Sequence, residues 1–426
     1  MPVAANLVAQ VSVKGAAQAQ ADLLGLGKTT KMTSQELAGL TTGAVVVAGA
    51  ALVAFGLKSA QMAGNFQASM TRLVTSAGEF ATNLPMVSAG ILKMSIDTAT
   101  STDQLAKGMY YVESAGNHGA AALTVLGAAA RGAKAENADL DVVAKALTTT
   151  MTDYHMPVSQ SAAAMNGLIA TVKNGKTNLQ DLAKSMGAVL PIASALHISF
   201  PQVAGAMDTL TNAGQTSRQA AQNLAHVLLA LQAPSKVASD SMGVVGLKAQ
   251  QVKDALVNKG LPEALKMIED HVGKKFPTSS VAYQIALKNI LGGIVGVKLA
   301  AMLTGDSLKQ TEGNIAAVTA AMKAGRDGVL GWTDVQSNFN FKLDQAKRAW
   351  DALMIVLGTK LLPILGKILD AITPLITSFT TWISQGDRIK QFFDDTSFKG
   401  IVVKAVLIEL AGVIGGIMVA AHVEFA

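Results

Sequence analysis

The sequence predicts a mainly α fold: repeated helical hairpins, a short β-strand near the N-terminus, and apolar helices near both ends. Three observations predict it. Residues 189–237 read as an apolar helix, a capped turn, a second helix and a proline stop. Weaker copies of this hairpin occur at 101–130 and 138–169. The 426-residue chain is also 50% hydrophobic but only 4% aromatic and 15% charged, against about 25% charged in an average soluble domain. Its apolar content is therefore Ala, Val, Leu and Gly, side chains that let helices pack closely. Repetition of short helices builds surface and length, whereas catalysis needs unique polar residues brought together.

The elements follow in order. Residues 6–14 alternate with a period of two, placing Leu7, Ala9, Val11 and Val13 on one face of a strand. Gly15 ends it and an Ala/Gln-rich helix follows, so 1–36 is a strand–helix segment. GLGKTT at 25–30 contains the Gly-Lys-Thr of a phosphate loop. The first glycine of such a loop falls at Asp22, whose charge repels phosphate, so this is a helix end followed by a Thr cap. Residues 37–60 form an apolar helix. No charge occurs from Leu37 to Leu57, a run long enough to cross a bilayer, and Gly39 and Gly43 allow close helix contact. The run is either a membrane segment or a buried, self-associating helix.

Residues 61–303 are expected to form the core of hairpins. In the first copy Ser101 and Gln104 make a capping box, and in the third Ser199 and Gln202 do the same. Leu105, Ala106, Met109 and Val112 match Val203, Ala204, Met207 and Leu210. Both helices stop at Ala-Gly, Ala115-Gly116 and Ala213-Gly214, as a left-handed cap requires. The middle copy keeps Val143, Ala144 and Leu147 on one face and ends through His155-Met156-Pro157. Thr216 and Gln219 make a further box. Residues 235–275 are more charged, with turns at 246–247 and 260–261, and 286–303 is an apolar helix pair bent at Gly292-Gly293. Residues 304–340 read as a polar linker. Amphipathic helices occupy 341–395, where Leu343, Ala346, Trp350, Leu353, Met354 and Leu357 recur and Pro363 and Pro374 predict kinks. The segment 396–426 is apolar except for Lys404, Glu409 and its last few residues.

Chemistry is harder to find. With no Cys, disulfides, thiolate metal sites and Cys nucleophiles are excluded. The net charge of +6 comes without a dense Lys/Arg patch with interleaved aromatics, which argues against sequence-specific nucleic-acid binding. The opening MPVAANLVAQ has neither the basic region nor the apolar core of a signal peptide. His118, His155, His197, His226, His271 and His422 form no H-E-x-x-H or other ligand pair at helical spacing. His226 lies in an apolar helix and reads as structural. His422-Val423-Glu424 resembles half of a deaminase zinc motif, but no Cys completes it. Asp153-Tyr154-His155 are neighbours whose side chains splay apart at a surface turn, and no G-x-S-x-G occurs. No catalytic, cofactor-binding or metal residue is expected, and no enzyme. Met86, Met94, Met109, Met151, Met165, Met186 and Met207 fill a core or form an adaptable surface for a partner.

Several blocks resemble the tail tape-measure proteins of long-tailed bacteriophages, especially those infecting actinobacteria. Phe66-Gln67-Ala68-Ser69-Met70 looks like the entry to that family's core region. Residues 189–238 resemble its most recognisable block: a His-Ile-Ser turn, helix, Ala-Gly, helix, then a Pro stop. LGTKLLPILGKILDAI at 357–372 resembles a segment that often follows, and the Val-x-Val-Lys-Gly opening at 11–15 is also similar. The resemblance implies a structural protein extended in the virion tail lumen that sets tail length. The implied partners are tail tube protein, tail assembly chaperones, tail tip proteins and further copies of the chain. It also implies residence in the host cytoplasm during assembly, then passage with the genome across the host membrane through apolar segments. A wholly helical chain of this length would span on the order of 600 Å at about 1.5 Å per residue. Family members are usually longer, and many carry a peptidoglycan hydrolase that is not evident here. The alternative is a membrane-inserting, pore-forming or toxin-like helical protein, suggested by 37–57 and 401–421.

Overall fold

Residues 55–384 of the computed structural model are described here. The strand expected at 6–14, most of the apolar run 37–57, the run 401–421 and His422 lie outside these residues. Every element among the described residues is helical. Contacts divide the chain into a unit of Asn65–Leu353 and a second unit, of which 55–64 and 354–384 are described.

The larger unit begins in α1 (55–72) and a π-helical turn, Leu73–Ala77. Nine helices follow: α2 (Leu84–Thr98), α3 (Thr102–Ser114), α4 (Gly119–Ala135), α5 (Leu140–Asp153), α6 (Ser161–Asn174), α7 (Leu179–Met186), the short α8 (Leu190–Ala195), α9 (Phe200–Asn212) and α10 (Ser217–Gln232). They form two layers in which, with the short α8 left out of the count, a helix rests on the next but one. In the first layer α3 packs on α5, α5 on α7 and α7 on α10. In the second, α2 packs on α4, α4 on α6 and α6 on α9. This is a helix-pair solenoid. The N-caps of the first layer, Ser101, Asp139, Asn178 and Thr216, are 38 or 39 residues apart.

Hydrogen bonds repeat at a similar interval, 38 to 41 residues. Asp139 and Gln180 exchange two, Asp139 N to Gln180 Oε1 at 2.9 Å and Gln180 Nε2 to Asp139 Oδ2 at 2.7 Å. Asn212 Nδ2 donates to the Asn174 carbonyl at 2.8 Å. The Ser194 hydroxyl donates to the Asp153 carbonyl, and Thr177 bonds Ser217. This stacking corrects the phase of the repeat. The sequence aligns α3 with α9, but α3 lies in the first layer and α9 in the second. Local capping signals are shared by both layers, so they cannot tell one from the other.

The capping boxes form as expected. Ser101 N donates to Gln104 Oε1 at 3.4 Å, Ser199 N to Gln202 Oε1 at 3.3 Å and Thr216 N to Gln219 Oε1 at 3.1 Å. Gly116 and Gly214 take φ of 87° and 93°, where glycine has no Cβ penalty. The amide after each reaches back five residues, Asn117 to Val112 and Gln215 to Leu210. The same closure occurs at Ala99, Asn137, His155 and His197, which carry φ of 49–57° without being glycine. His155 thus does at the end of α5 what glycine does in the other copies.

At its α6–α9 end the second layer is buried on both faces: Val203–Thr211 of α9 and Ala164–Thr171 of α6 are all buried. What covers it is the segment expected to be a polar linker. After α11 (Lys236–Val244), α12 (Ala249–Lys259), α13 (Leu261–Lys275), α14 (Val281–Ile290) and α15 (Ile294–Leu303), residues Leu308–Lys323 form helix α16. α16 packs along α9 and α6, and α17 (Trp332–Ser337) packs on α4. Residues 304–340 are therefore a third layer, not a linker. α18 (Phe339–Ser384) is one helix that continues through Pro363 and Pro374. At its start Lys134 pairs with Asp344 at 3.0 Å, and Trp332 meets Phe341 edge-on at 5.4 Å between centroids.

In the smaller unit, Ser59 Oγ donates to the Phe55 carbonyl at 2.9 Å and lies 3.4 Å from Met354 Sδ. Gly358 abuts the Ser59 backbone so closely that a Cβ would stand 1.8 Å from its carbonyl oxygen.

Candidate interaction surface

Each described histidine, and the Asp153–Tyr154 pair, serves a local role. His155 and His197 terminate helices through their backbones. His226 Nε2 lies 2.7 Å from the Gly292 carbonyl and fixes the elbow between α14 and α15, while His271 Nδ1 lies 2.9 Å from the Met267 carbonyl of its own helix. The His118 ring stands edge-on to Phe80 at 5.4 Å. Tyr154 packs edge-on to Phe200 at 5.9 Å, and burial raises its hydroxyl pKa. Burial also raises Asp153, with His155 acting in the opposite direction. Among the described residues no group of three or more His, Cys, Asp or Glu is placed to hold a metal ion.

Pattern reading missed the buried carboxyls. Asp208, in the middle of α9, is 0% exposed, and neither of its oxygens has a hydrogen-bond partner. Burial pushes its pKa up to about 8, which keeps it neutral through mild acid. Glu113 is likewise pushed to about 8, by burial first and then by the neighbouring Glu79. For Glu79, burial pushes the other way from its donors. The donors win and hold it below the usual carboxylate range: Gly119 N at 2.8 Å, Asn83 Nδ2 at 2.9 Å and Phe80 N at 2.8 Å. Glu79 thereby ties the turn before α2 to the start of α4, 40 residues on. The signal available in the sequence was position: Glu113 follows Val112 and Asp208 follows Met207 on apolar stripes.

The exposed apolar side chains are more suggestive. On α11, Val237 and Val244 share a stripe with Ser241, and on α14 Val281 and Ile285 share one with Asn289. The bond from Asn289 Nδ2 to Ser241 Oγ, 3.1 Å, joins the two stripes. Val237, Val244, Val281 and Ile285 are 57%, 58%, 75% and 52% exposed, an apolar face around one polar bond. The methionines divide: Met109, Met151, Met165, Met186 and Met207 are buried, whereas Met86 is exposed. Among the described residues no single helix is long and apolar enough to cross a membrane; α14 and α15 pass that test only as a pair bent by 98°.

Comparison with known proteins points to phage tails. Residues 88–292, from α2 to the α14–α15 elbow, match the family model described as "Phage-related minor tail protein". A protein of Pneumococcus phage Dp-1 named "Tape measure protein" is 22% identical over 391 residues, 91% of this chain and 33% of that protein. A "Probable tape measure protein" of Clostridium phage phiCD119 is 26% identical over 289 residues, 65% of this chain and 30% of that protein. The chain spans about a third of the length of these curated relatives. No solved structure matches it. These matches support the resemblance of the chain to phage tail tape-measure proteins.

Proposed function

We propose that the chain is a structural scaffold of the phage tail that sets tail length as tube protein assembles around it. The observation that carries this reading is the likeness to a named tape measure protein across 91% of the chain. The helix-pair stack supports it, because length in such a stack is added one unit at a time. On this reading the chain resides in the tail lumen in several copies, held before assembly by chaperones, and meets tip proteins at one end. Its apolar runs at 37–57 and 401–421 then assist genome passage into the host.

The test is removal of one stacking unit, residues 139–177, in frame from the phage gene. Tails imaged by electron microscopy should shorten. A loss of about 58 Å means these residues are read as continuous helix at about 1.5 Å per residue. A loss of about 10 Å means they keep the stack, one interhelix distance per unit. Tails of unchanged length, assembled around the shortened chain, would overturn the reading.

A further inference from the structure

The α16 segment meets the second layer at backbone distance. At Gly205 a Cβ would stand 2.6 Å from the Ile315 backbone nitrogen, and at Gly325 it would stand 2.4 Å from the Ala163 Cα. Directional bonds hold the crossing. The fully buried Asn166 donates to the Ala321 carbonyl at 3.3 Å and the Gly328 carbonyl at 3.0 Å, and accepts from Leu330 N at 2.9 Å. Asn314 Nδ2 donates to Thr209 Oγ1 at 3.0 Å. Yet only Thr311 and Val318 of the 16 residues in α16 are buried. Complementary shape and a few hydrogen bonds hold this helix, with little apolar area behind them. Positive-φ glycines flank it, Gly305 at 57° on one side and Gly328 at 119° and Gly331 at 73° on the other. A cavity of about 800 Å³, lined by Gln160, Ala163, Pro201, Met322 and Lys323, undercuts its C-terminal end.

We propose that α6 and α9 form a helix-docking groove, and that residues 308–330 are its releasable occupant. The strap lifts as a unit on its glycine hinges, while the two layers beneath keep their own contacts. The occupant the open groove then takes is the same helix from a second copy. The groove floor lets a backbone approach closely at Gly205 and Ala163, and a second copy carries the helix already fitted to it. The cis strap acts as a high local concentration of competitor, so exchange between copies needs strap opening first.

Hydrogen exchange on the full chain tests this. Amides of 310–323 should exchange at least tenfold faster than those of α6 and α9. Gly205→Ala favours α9 as a helix but sets a methyl against Ile315. It should speed strap exchange a further tenfold and leave α3 to α5 unchanged. Asn314→Ala should also loosen the strap and bind a labelled synthetic peptide of residues 306–331 in trans, by fluorescence anisotropy, whereas Gly205→Ala should not bind it. Strap amides as protected as α6 and α9 in all three proteins would overturn the proposal. So would an opened Asn314→Ala strap that captures no peptide.

Discussion

Asp208→Asn is the sharpest perturbation of the core. Asp208 is wholly buried and its pKa lies near 8, against an ordinary value of 3.8. The native state therefore holds a proton that the unfolded chain releases above about pH 4, and stability must fall as pH rises through this window. A displacement of about four units at about 1.4 kcal/mol each corresponds to about 5 kcal/mol lost between pH 4 and pH 8. That is a large part of the 5–15 kcal/mol typical of a domain. Asn keeps the shape and the neutrality of the protonated acid. Urea unfolding followed by circular dichroism across pH 4–9 should show wild type losing stability toward pH 8. The variant should lose several kcal/mol less and be the more stable protein at pH 8. Glu113, also near 8, leaves it a residual slope of the same sign. Identical pH profiles, or a variant weaker than wild type at pH 8, would refute the argument that Asp208 is buried in its neutral form.

Gly214→Val should lower the melting temperature through backbone strain alone, by about 1–2 kcal/mol, because nothing lies within 4 Å of the new Cβ. Ala99→Gly should leave the melting temperature nearly unchanged, since relief of strain at φ 51° offsets the loss of a methyl that is 2% exposed; equal melting temperatures for the two variants would contradict the left-handed caps. Thr216→Ala should cost about 1 kcal/mol by removing the bond from Gln219 N, measured by the same melts.

The parts legible in the sequence were those fixed by neighbours in the chain. Ser101–Gln104, Ser199–Gln202 and Thr216–Gln219 announce helix starts, and Ala-Gly announces two of the stops, because capping is a contest among four or five adjacent backbone groups. The helix ends at Ala99, Asn137 and His197 carry no glycine, so their left-handed turns were silent. The stacking phase is a tertiary property: whether α9 belongs with α3 or α4 depends on contacts about 40 residues apart. The third layer was hidden for another reason. α16 approaches α9 through Gly205 and buries little of itself, which leaves no apolar periodicity to read. The carboxyls of Glu113 and Asp208 were passed over because ionised groups belong on surfaces; only burial that keeps them protonated makes them tolerable inside.

Helices of the stack rest on the next but one, the short α8 left out of the count, which brings loops about 40 residues apart into contact. Thr177 and Ser217 hydrogen-bond across one such junction. The chain has no Cys of its own, so a Thr177→Cys, Ser217→Cys variant contains a single pair of thiols. Mild oxidation followed by peptide mass mapping should find them joined in nearly all monomers, with helicity unchanged. Thiols that stay free, or that join only between chains, would contradict the stacked architecture.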